Sequence, residues 1–257
     1  MEILEKVAAH HQEVERNHPE YTVVFTSLIG SQNYNISTEN SDIDTCSFVL
    51  PSFEKFIRGK ILPSIEHESE YNDGHCVIKD LRQGLDLLRK PSPNSIEWFL
   101  SSYKYYNFKY EKFLKYILEN EMAVFILTHA NFRNMLDAIV GTAKGLHGRN
   151  MSSGKKVSHV IRLKHLARQY MTSDKAFSYL KLNNIDRDAA LFAKTSENDW
   201  EPIYQFLLNE LITYLNVFTD NKKWIKTEKV SQDFINKVEL KLFEIYLEDN
   251  GYEKRKN

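Results

Sequence analysis

Two aspartates that are separated by one residue follow a glycine–serine pair, with ten residues between the two pairs. The β-branched, apolar segment 21–29 predicts a buried strand that ends at Gly30 and Ser31. Glycine lets the backbone turn tightly and come close to a ligand. If a helix begins at this turn, its free N–H groups and the Ser31 hydroxyl would form a cradle for phosphate.

Asp42 and Asp44 open the next predicted strand, which runs over residues 43–50. Side-chain alternation would place both carboxylates on one face, about 6.6 Å apart at Cα, with Ile43 in the core. Two hard oxygen ligands beside a phosphate cradle predict a site for Mg²⁺ and a nucleoside triphosphate. A plain turn at Gly30, with Asp42 as a capping residue, is the structural alternative. We rank this alternative second because three features occur together: the glycine–serine pair at a strand end, the ten-residue spacing, and an aspartate pair at the start of the next predicted strand.

Charge is distributed unevenly along a nearly neutral chain. The 257 residues include 34 Lys+Arg and 35 Asp+Glu, a net charge of −1 that argues against a basic nucleic-acid coat protein. Residues 138–173 contain seven Lys/Arg and no Asp/Glu. Two groups of acidic residues lie in the first half, one at Glu39, Asp42 and Asp44 and the other at Glu66, Glu68, Glu70 and Asp73. This contrast favours a metal–polyphosphate site between the two regions, with two solvated surfaces as the alternative.

Composition excludes several other classes of protein. Apolar residues make up 42% of the chain, enough for a packed core. The longest apolar run, Met122–Leu127, is far shorter than the roughly 18 residues of a membrane span, and residues 1–16 lack the apolar centre of a signal peptide. Cys46 and Cys76 show no metal-binding or disulfide spacing. We therefore expect a cytoplasmic protein.

Hydrophobic patterning predicts strands in the first half of the chain and helices in the second. Residues 1–18 and 80–90 predict helices, and residues 64–71 and 74–79 predict a hairpin with its turn at 72–74. After about residue 105 the strand signals fade and amphipathic helical segments follow. We expect an α+β fold with a mixed sheet and flanking helices, followed by a mostly helical C-terminal half.

The segment GSQNYNISTENSDIDT, with KDLRQGLDLLRKPSPNSIEWFLS downstream, resembles the signature of the polymerase-beta-like nucleotidyltransferase superfamily. More narrowly, it resembles the predicted nucleotidyltransferase group, which includes RNA repair pathway polymerase-beta-like proteins and phage relatives. The resemblance covers residues 24–101 and, more weakly, 133–170, where KKVSHVIRL is similar to a basic helix motif. It implies a catalytic domain over 1–105 and a helical domain over 106–257 that closes the cleft.

The resemblance also implies an activity. A nucleoside monophosphate would be transferred from an NTP to an acceptor hydroxyl of an RNA or tRNA end, a protein or a small molecule, with release of pyrophosphate. Asp42 and Asp44 would bind two Mg²⁺ ions, and Gly30 and Ser31 would hold the β- and γ-phosphates. Two other functions remain open: a nucleotide-binding or regulatory protein on the same fold, and an RNA-binding module in which the aspartate pair is coincidental.

A third carboxylate on a neighbouring strand is usual in the superfamily, and here the aligned position holds Val77. Valine can neither bind Mg²⁺ nor accept a proton. Asp80 is the best single substitute, although strand alternation points it to the opposite face unless the strand has already turned into the helix. Further substitutes are Asp73, Glu66, Glu68 and Glu70.

The segment 155–170 predicts a helix with Lys155, His159 and Arg162 on one face. We expect this cationic face to reach the triphosphate, with Lys156 as a substitute for Lys155. A solvated face or an RNA-tracking surface is the alternative.

The remaining candidates carry weaker signals. Residues 148–156 have the wrong glycine spacing for a P-loop. The histidines at 10, 11 and 18 lack partners at ligand spacing and are interpreted as surface residues. The tyrosine-rich stretch 103–110 predicts an amphipathic edge strand, with base stacking as the alternative. Asn94 or Ser95 is expected to cap a short helix that carries Trp98 and Phe99 in the core.

Overall fold

A computed structural model describes residues 2–39, 41–69, 74–172, 176, 179–218 and 225–252. Five strands form one sheet in the order β3-β4-β2-β1-β5. They are β1 (Thr22–Ile29), β2 (Asp44–Leu50), β3 (Ile65–Glu68), β4 (His75–Asp80) and β5 (Lys104–Tyr106). The β2–β4 pair is parallel and the other three pairs are antiparallel, so the sheet is mixed, as predicted.

Every described element after β5 is a helix, which confirms the α+β prediction. The helices are α1 (Ile3–Asn17), α2 (Phe53–Ile57), α3 (Leu81–Arg89), α4 (Pro93–Leu100), α5 (Phe108–Leu118), α6 (Glu121–Thr128), α7 (Phe132–Gly145), α8 (Ser153–Thr172), α9 (Asn184–Thr195), α10 (Glu201–Phe218) and α11 (Ile225–Asp249). The main hydrophobic cluster runs from Val24 in β1 to Tyr246 in α11. The division into two domains at residue 105 stays a prediction.

The two faces of the sheet are covered by different elements. On the front face, which carries Asp44, Cys46 and Phe48, the Phe48 ring packs against Trp98 of α4 with the ring centroids 5.4 Å apart. Gly84 lets α3 lie directly on this face, because a Cβ at that position would be only 2.4 Å from the Phe48 ring. The back face carries Thr45, Ser47 and Val49 and is covered by α1.

Polar side chains fill much of the space between α1 and the back face. His10 and His11 are each 1% exposed. Nδ1 of His10 is 2.9 Å from Thr45 Oγ1, and Nδ1 of His11 is 3.0 Å from Thr26 Oγ1. The prediction that these two histidines lie on the surface is therefore wrong, because the strands beneath α1 offer hydroxyl partners. The third histidine, His18, is partly buried and stacks on Tyr21.

Smaller predictions were met in part. Ser92, and neither Asn94 nor Ser95, caps α4, because its Oγ accepts the Ser95 N–H at 3.2 Å and Pro93 is the first helical residue. Trp98 and Phe99 are buried as expected. Both cysteines are buried free thiols on neighbouring strands.

The predicted hairpin is present as the antiparallel pair β3–β4, and residues 72 and 73 of its predicted turn lie outside the described part of the chain. The tyrosine-rich stretch contributes the short edge strand β5 and then continues as α5. Among the described helices, none combines the length and the apolar character that a membrane crossing requires.

Candidate active site

The glycine–serine turn and the aspartate pair meet at one end of the sheet. Ile29 at the end of β1 pairs with Asp44 at the start of β2, so the turn that follows β1 lies beside the second aspartate. Gly30 adopts a φ of 86°, which few residues other than glycine tolerate. A Cβ built on Gly30 would be 3.6 Å from Asp44 Oδ2. The structure thus brings Gly30, Ser31 and Asp44 together.

The element after Gly30 is one short 3₁₀ turn, Ser31–Tyr34, and no α-helix begins there. The Gly30 N–H donates to Glu97 Oε1 at 2.7 Å, so it is not available to a phosphate. The sequence-based cradle is therefore reduced to the Ser31 hydroxyl and the backbone groups that follow it. This turn is a smaller anion site than a full helix N-terminus would be.

The two aspartates differ in their surroundings. Strand β2 begins at Asp44, so Asp42 lies exposed in the preceding loop, while Ile43 between them is buried as predicted. Burial raises the pKa of Asp44, and the nearby Asp42 charge raises it further. His75 on β4 opposes this effect, because its Nδ1 lies 2.8 Å from Asp44 Oδ1. The pair is therefore a site of concentrated negative charge.

A divalent cation fits this pair. Asp44 Oδ1 is buried, and no described donor meets it in good hydrogen-bonding geometry even though His75 is close. Over the described ranges, no group of three or more His, Cys, Asp or Glu side chains could hold a metal ion. Two carboxylates are nevertheless sufficient for Mg²⁺, which commonly takes its remaining ligands from water and from substrate phosphates.

Glu97 on α4 holds the glycine turn in place, and the sequence analysis missed its role. Besides accepting the Gly30 N–H, its Oε1 accepts from Asn33 Nδ2 at 3.2 Å. The same Asn33 amide donates to Leu28 O at 2.9 Å, which ties the turn to the end of β1. Burial raises the pKa of Glu97, and the charge of Arg162 opposes this shift. An acidic residue inside the apolar sequence IEWFL was the available signal.

Arg162 connects α8 to this turn. Its Nη2 lies 3.9 Å from Glu97 Oε2, and its guanidinium carbon lies 3.6 Å from the centroid of the Tyr34 ring. Stacking on an aromatic face and pairing with a carboxylate are both typical of the planar guanidinium. The helical half of the chain thereby contributes a cation directly behind the glycine–serine turn.

Helix α8 presents the predicted cationic face. Lys155, His159 and Arg162 share one side of the helix, while Val157, Val160 and Ala167 are buried. Burial, together with the surrounding charges of Arg162, Arg149, Lys194 and Lys155, lowers the pKa of His159 to about 3. His159 is therefore neutral at physiological pH, in the middle of four cations.

Two members of this cationic cluster were not foreseen. Arg149 precedes α8, and Lys194 lies near the end of α9. Burial lowers the pKa of Lys194, the cations Lys155 and Arg162 lower it further, and Asp42 raises it. We define the cationic cluster as Arg149, Lys155, His159, Arg162 and Lys194. Within it, Lys194 is coupled both to the other cations and to Asp42.

Lys156 is directed elsewhere. Its Nζ lies 3.8 Å from Glu201 Oε2 of α10 and donates to His147 O at 3.4 Å. The structure therefore does not bring Lys156 together with the other predicted nucleotide-binding residues.

Asp80 lies far from the aspartate pair. It pairs with Val49 on the back face, five residues along β2 from Asp44, or about 16 Å in an extended strand. Its buried carboxylate caps α3 by accepting the Arg82 N–H at 2.9 Å, and it also accepts the Leu62 N–H at 3.0 Å. Its side chain is thus engaged in structural contacts.

The position aligned with the missing carboxylate does lie on the front face. Val77 pairs with Cys46, two residues along β2 from Asp44 and on the same side of the sheet. On β3, Glu66 pairs with Val77 and Glu68 with His75, so both glutamates share that side. Glu70 and Asp73 lie outside the described residues.

This fold and site belong to a recognisable class. A mixed sheet that ends in a glycine–serine turn beside an Asp-x-Asp pair is the arrangement on which the resemblance to polymerase-beta-like nucleotidyltransferases rested. A sequence profile of the RNA repair pathway DNA polymerase beta family matches residues 2–203, and the chain belongs to this family. Membership indicates nucleotidyltransferase chemistry in general. No curated protein matches the chain.

Proposed function

We propose that the protein is a Mg²⁺-dependent nucleotidyltransferase that transfers a nucleoside monophosphate from an NTP to an acceptor hydroxyl. The observation that supports this most strongly is the position of the Gly30 turn against Asp44, with the cationic cluster on the adjoining helices. Carboxylates for a cation and cations for a polyphosphate are the two halves of a site for a metal–NTP complex.

In the proposed reaction the acceptor oxygen forms a bond to the α-phosphorus, and the bond from that phosphorus to the bridging oxygen breaks to release pyrophosphate. Magnesium, when bound, would neutralise the triphosphate and lower the pKa of the acceptor hydroxyl. Asp42 and Asp44 would hold it. Ser31, Lys155, His159 and Arg162 would orient the phosphates, so that catalysis depends on positioning and electrostatics.

The family description, RNA repair, supports an RNA end as the acceptor. For a second Mg²⁺ ion, a further acid would help, and Glu68 is a described candidate because it shares the front face with Asp44 across β4. We propose no catalytic role for Asp80, whose carboxylate caps α3.

The substitutions Asp42→Asn and Asp44→Asn test the proposal. Each variant should lose transfer of α-³²P label from NTP to RNA on the order of 10³-fold, because a lost metal ligand removes several kcal/mol of transition-state stabilisation. Asp137→Asn is a matched control, since Asp137 is an exposed aspartate on α7. Thermal melting should show all three variants folded. Transfer at the wild-type rate in both site variants would refute the assignment.

A nucleotide-binding protein without turnover is the second candidate, and the valine at position 77 is the observation that favours it. Pyrophosphate release by the wild-type protein separates the two functions. Mg²⁺-dependent NTP binding without pyrophosphate release, across all four NTPs and a panel of RNA acceptors, would establish the binder.

A further inference from the structure

Lys194 of α9 reaches the loop that carries the first aspartate. Its Nζ donates to Ile36 O at 3.2 Å and to Ser41 Oγ at 3.4 Å. Ser41 immediately precedes Asp42. We propose that Lys194 is a positioning residue that holds this loop, and with it Asp42, in the conformation that binds the cation. The inference rests on the proposed function.

Within the described part of the loop, the Thr38–Ser41 turn is held by its own hydrogen bonds. Ser41 Oγ accepts the Thr38 N–H at 2.8 Å, and the Ser41 N–H donates to Thr38 O at 2.9 Å. Ile36 is buried in the main hydrophobic cluster. Lys194 links the two ends of the loop, because its ammonium group donates to Ile36 O at one end and to Ser41 Oγ at the other.

The position of Lys194 is itself set by the packing of α9 on the first turn of α8. A Cβ on Gly154 would be only 2.0 Å from Ala193 O, so glycine is required for this close approach. The Trp200 N–H donates to Ser153 Oγ at 3.0 Å and fastens the chain beyond α9 to the same turn. Lys194 follows Ala193 directly and is therefore delivered to the loop by backbone packing.

Charge and positioning make opposite predictions for the loss of Lys194. Because this cation lies near Asp42, its removal would favour the binding of a divalent cation if charge alone mattered. If Lys194 holds the loop, its removal releases Asp42 and weakens cation binding. Substitution of residues that orient metal ligands typically costs 10- to 100-fold in affinity, and we expect positioning to dominate.

The experiment measures Mn²⁺ binding without nucleotide, by electron paramagnetic resonance, together with amide hydrogen exchange over residues 36–44 in metal-free protein. Lys194→Met should weaken Mn²⁺ binding about tenfold and speed exchange in the loop. Lys194→Arg, which keeps both the charge and the donors, should restore most of both. Lys155→Met is the matched control, because it removes a cation from the same cluster and leaves the loop contacts in place; it should not weaken Mn²⁺ binding and should not speed exchange in the loop.

Equal or tighter Mn²⁺ binding by Lys194→Met, or unchanged loop exchange, would overturn the inference and leave Lys194 as a cation for phosphate. The proposed function fails if the wild-type protein binds no Mn²⁺, or if its Mn²⁺ binding survives the substitution Asp42→Asn. The exchange measurement then still decides whether Lys194 holds the loop.

Discussion

The back face of the sheet and the end that carries the aspartates are both rich in polar side chains, but these side chains have different partners. Those on the back face contact one another, whereas those at the aspartate end lie beside groups of like charge. On the back face, His10, His11 and the strand hydroxyls contact one another, and the Thr26 and Ser47 oxygens are 2.6 Å apart. At the aspartate end, like charges are neighbours: Asp42 raises the pKa of Asp44, and cations surround His159. A cluster whose polar groups hydrogen-bond to one another stabilises the fold. A site in which acidic groups and cationic groups are kept apart favours a ligand that contacts both.

This difference also has a thermodynamic consequence. Repulsion between like charges destabilises the free protein, and a ligand that binds only the folded state offsets that cost by mass action. We therefore expect Mg²⁺ with an NTP to raise the melting temperature. The back face should contribute the same stability with or without ligand.

The largest effect is expected at Glu97, which contacts Arg162 of the cationic cluster and also accepts the Gly30 N–H of the turn. Glu97→Ala removes a buried partner of Arg162 and the acceptor of the Gly30 N–H. Loss of one partner of a buried ion pair typically costs 3–5 kcal/mol, so we expect a loss of about 3 kcal/mol in the free energy of unfolding by urea.

Glu97→Gln serves as the control, because its amide oxygen can still accept from Gly30. We expect a smaller loss of stability and tighter NTP binding, since Arg162 then lacks a competing carboxylate. Equal stability of the alanine variant and the wild type would show that the Gly30 turn keeps its conformation without Glu97.

A smaller effect is expected on the back face when the pH falls. Burial lowers the pKa of His11 to about 4, against 6.5 for a free histidine. Between pH 6.5 and 4 the unfolded state therefore binds a proton that the folded state excludes. The free energy of unfolding decreases as the pH is lowered through this range. For His11 the loss between pH 6.5 and 5 is about 1.6 kcal/mol.

The measurement compares urea unfolding of the wild type and of His11→Asn across this range. The variant keeps an amide for Thr26 but cannot titrate, so its stability should fall less steeply. His129 and His159, whose pKa values burial also lowers, are present in both proteins. Parallel pH profiles would show that His11 is accessible to protons in the folded state.

The smallest effect is expected at Arg162. Arg162→Ala should weaken NTP binding about tenfold without RNA, or about 1.4 kcal/mol, because one of four cations is lost. Lys156→Ala is the comparison, since Lys156 belongs to the same helix but faces Glu201. Fluorescence titration with a labelled NTP measures both. Equal affinities for the two variants would mean that the cationic face of α8 does not meet the nucleotide.

The parts of the site that could be predicted from sequence are those that local pattern determines. The strand end at Gly30, the Asp-x-Asp spacing and the face of α8 each follow from a periodicity of a few residues. Glu97 lies 67 residues from Gly30, and Lys194 lies 158 residues from Ile36, so neither contact leaves a local pattern. The buried histidines escaped prediction for the same reason, since their hydroxyl partners belong to strands that follow α1.

Lys194 also has a consequence for the order in which the site is made. During synthesis the Asp42 loop precedes Lys194 by about 150 residues, which at 5–20 residues per second corresponds to roughly 8 to 30 s. For the first 120 residues of that interval the aspartates lack Arg162, and for the whole of it they lack the anchor on α9. A nascent or truncated chain that ends before α8 would therefore carry the proposed cation ligands without the proposed phosphate-binding residues of α8 and α9.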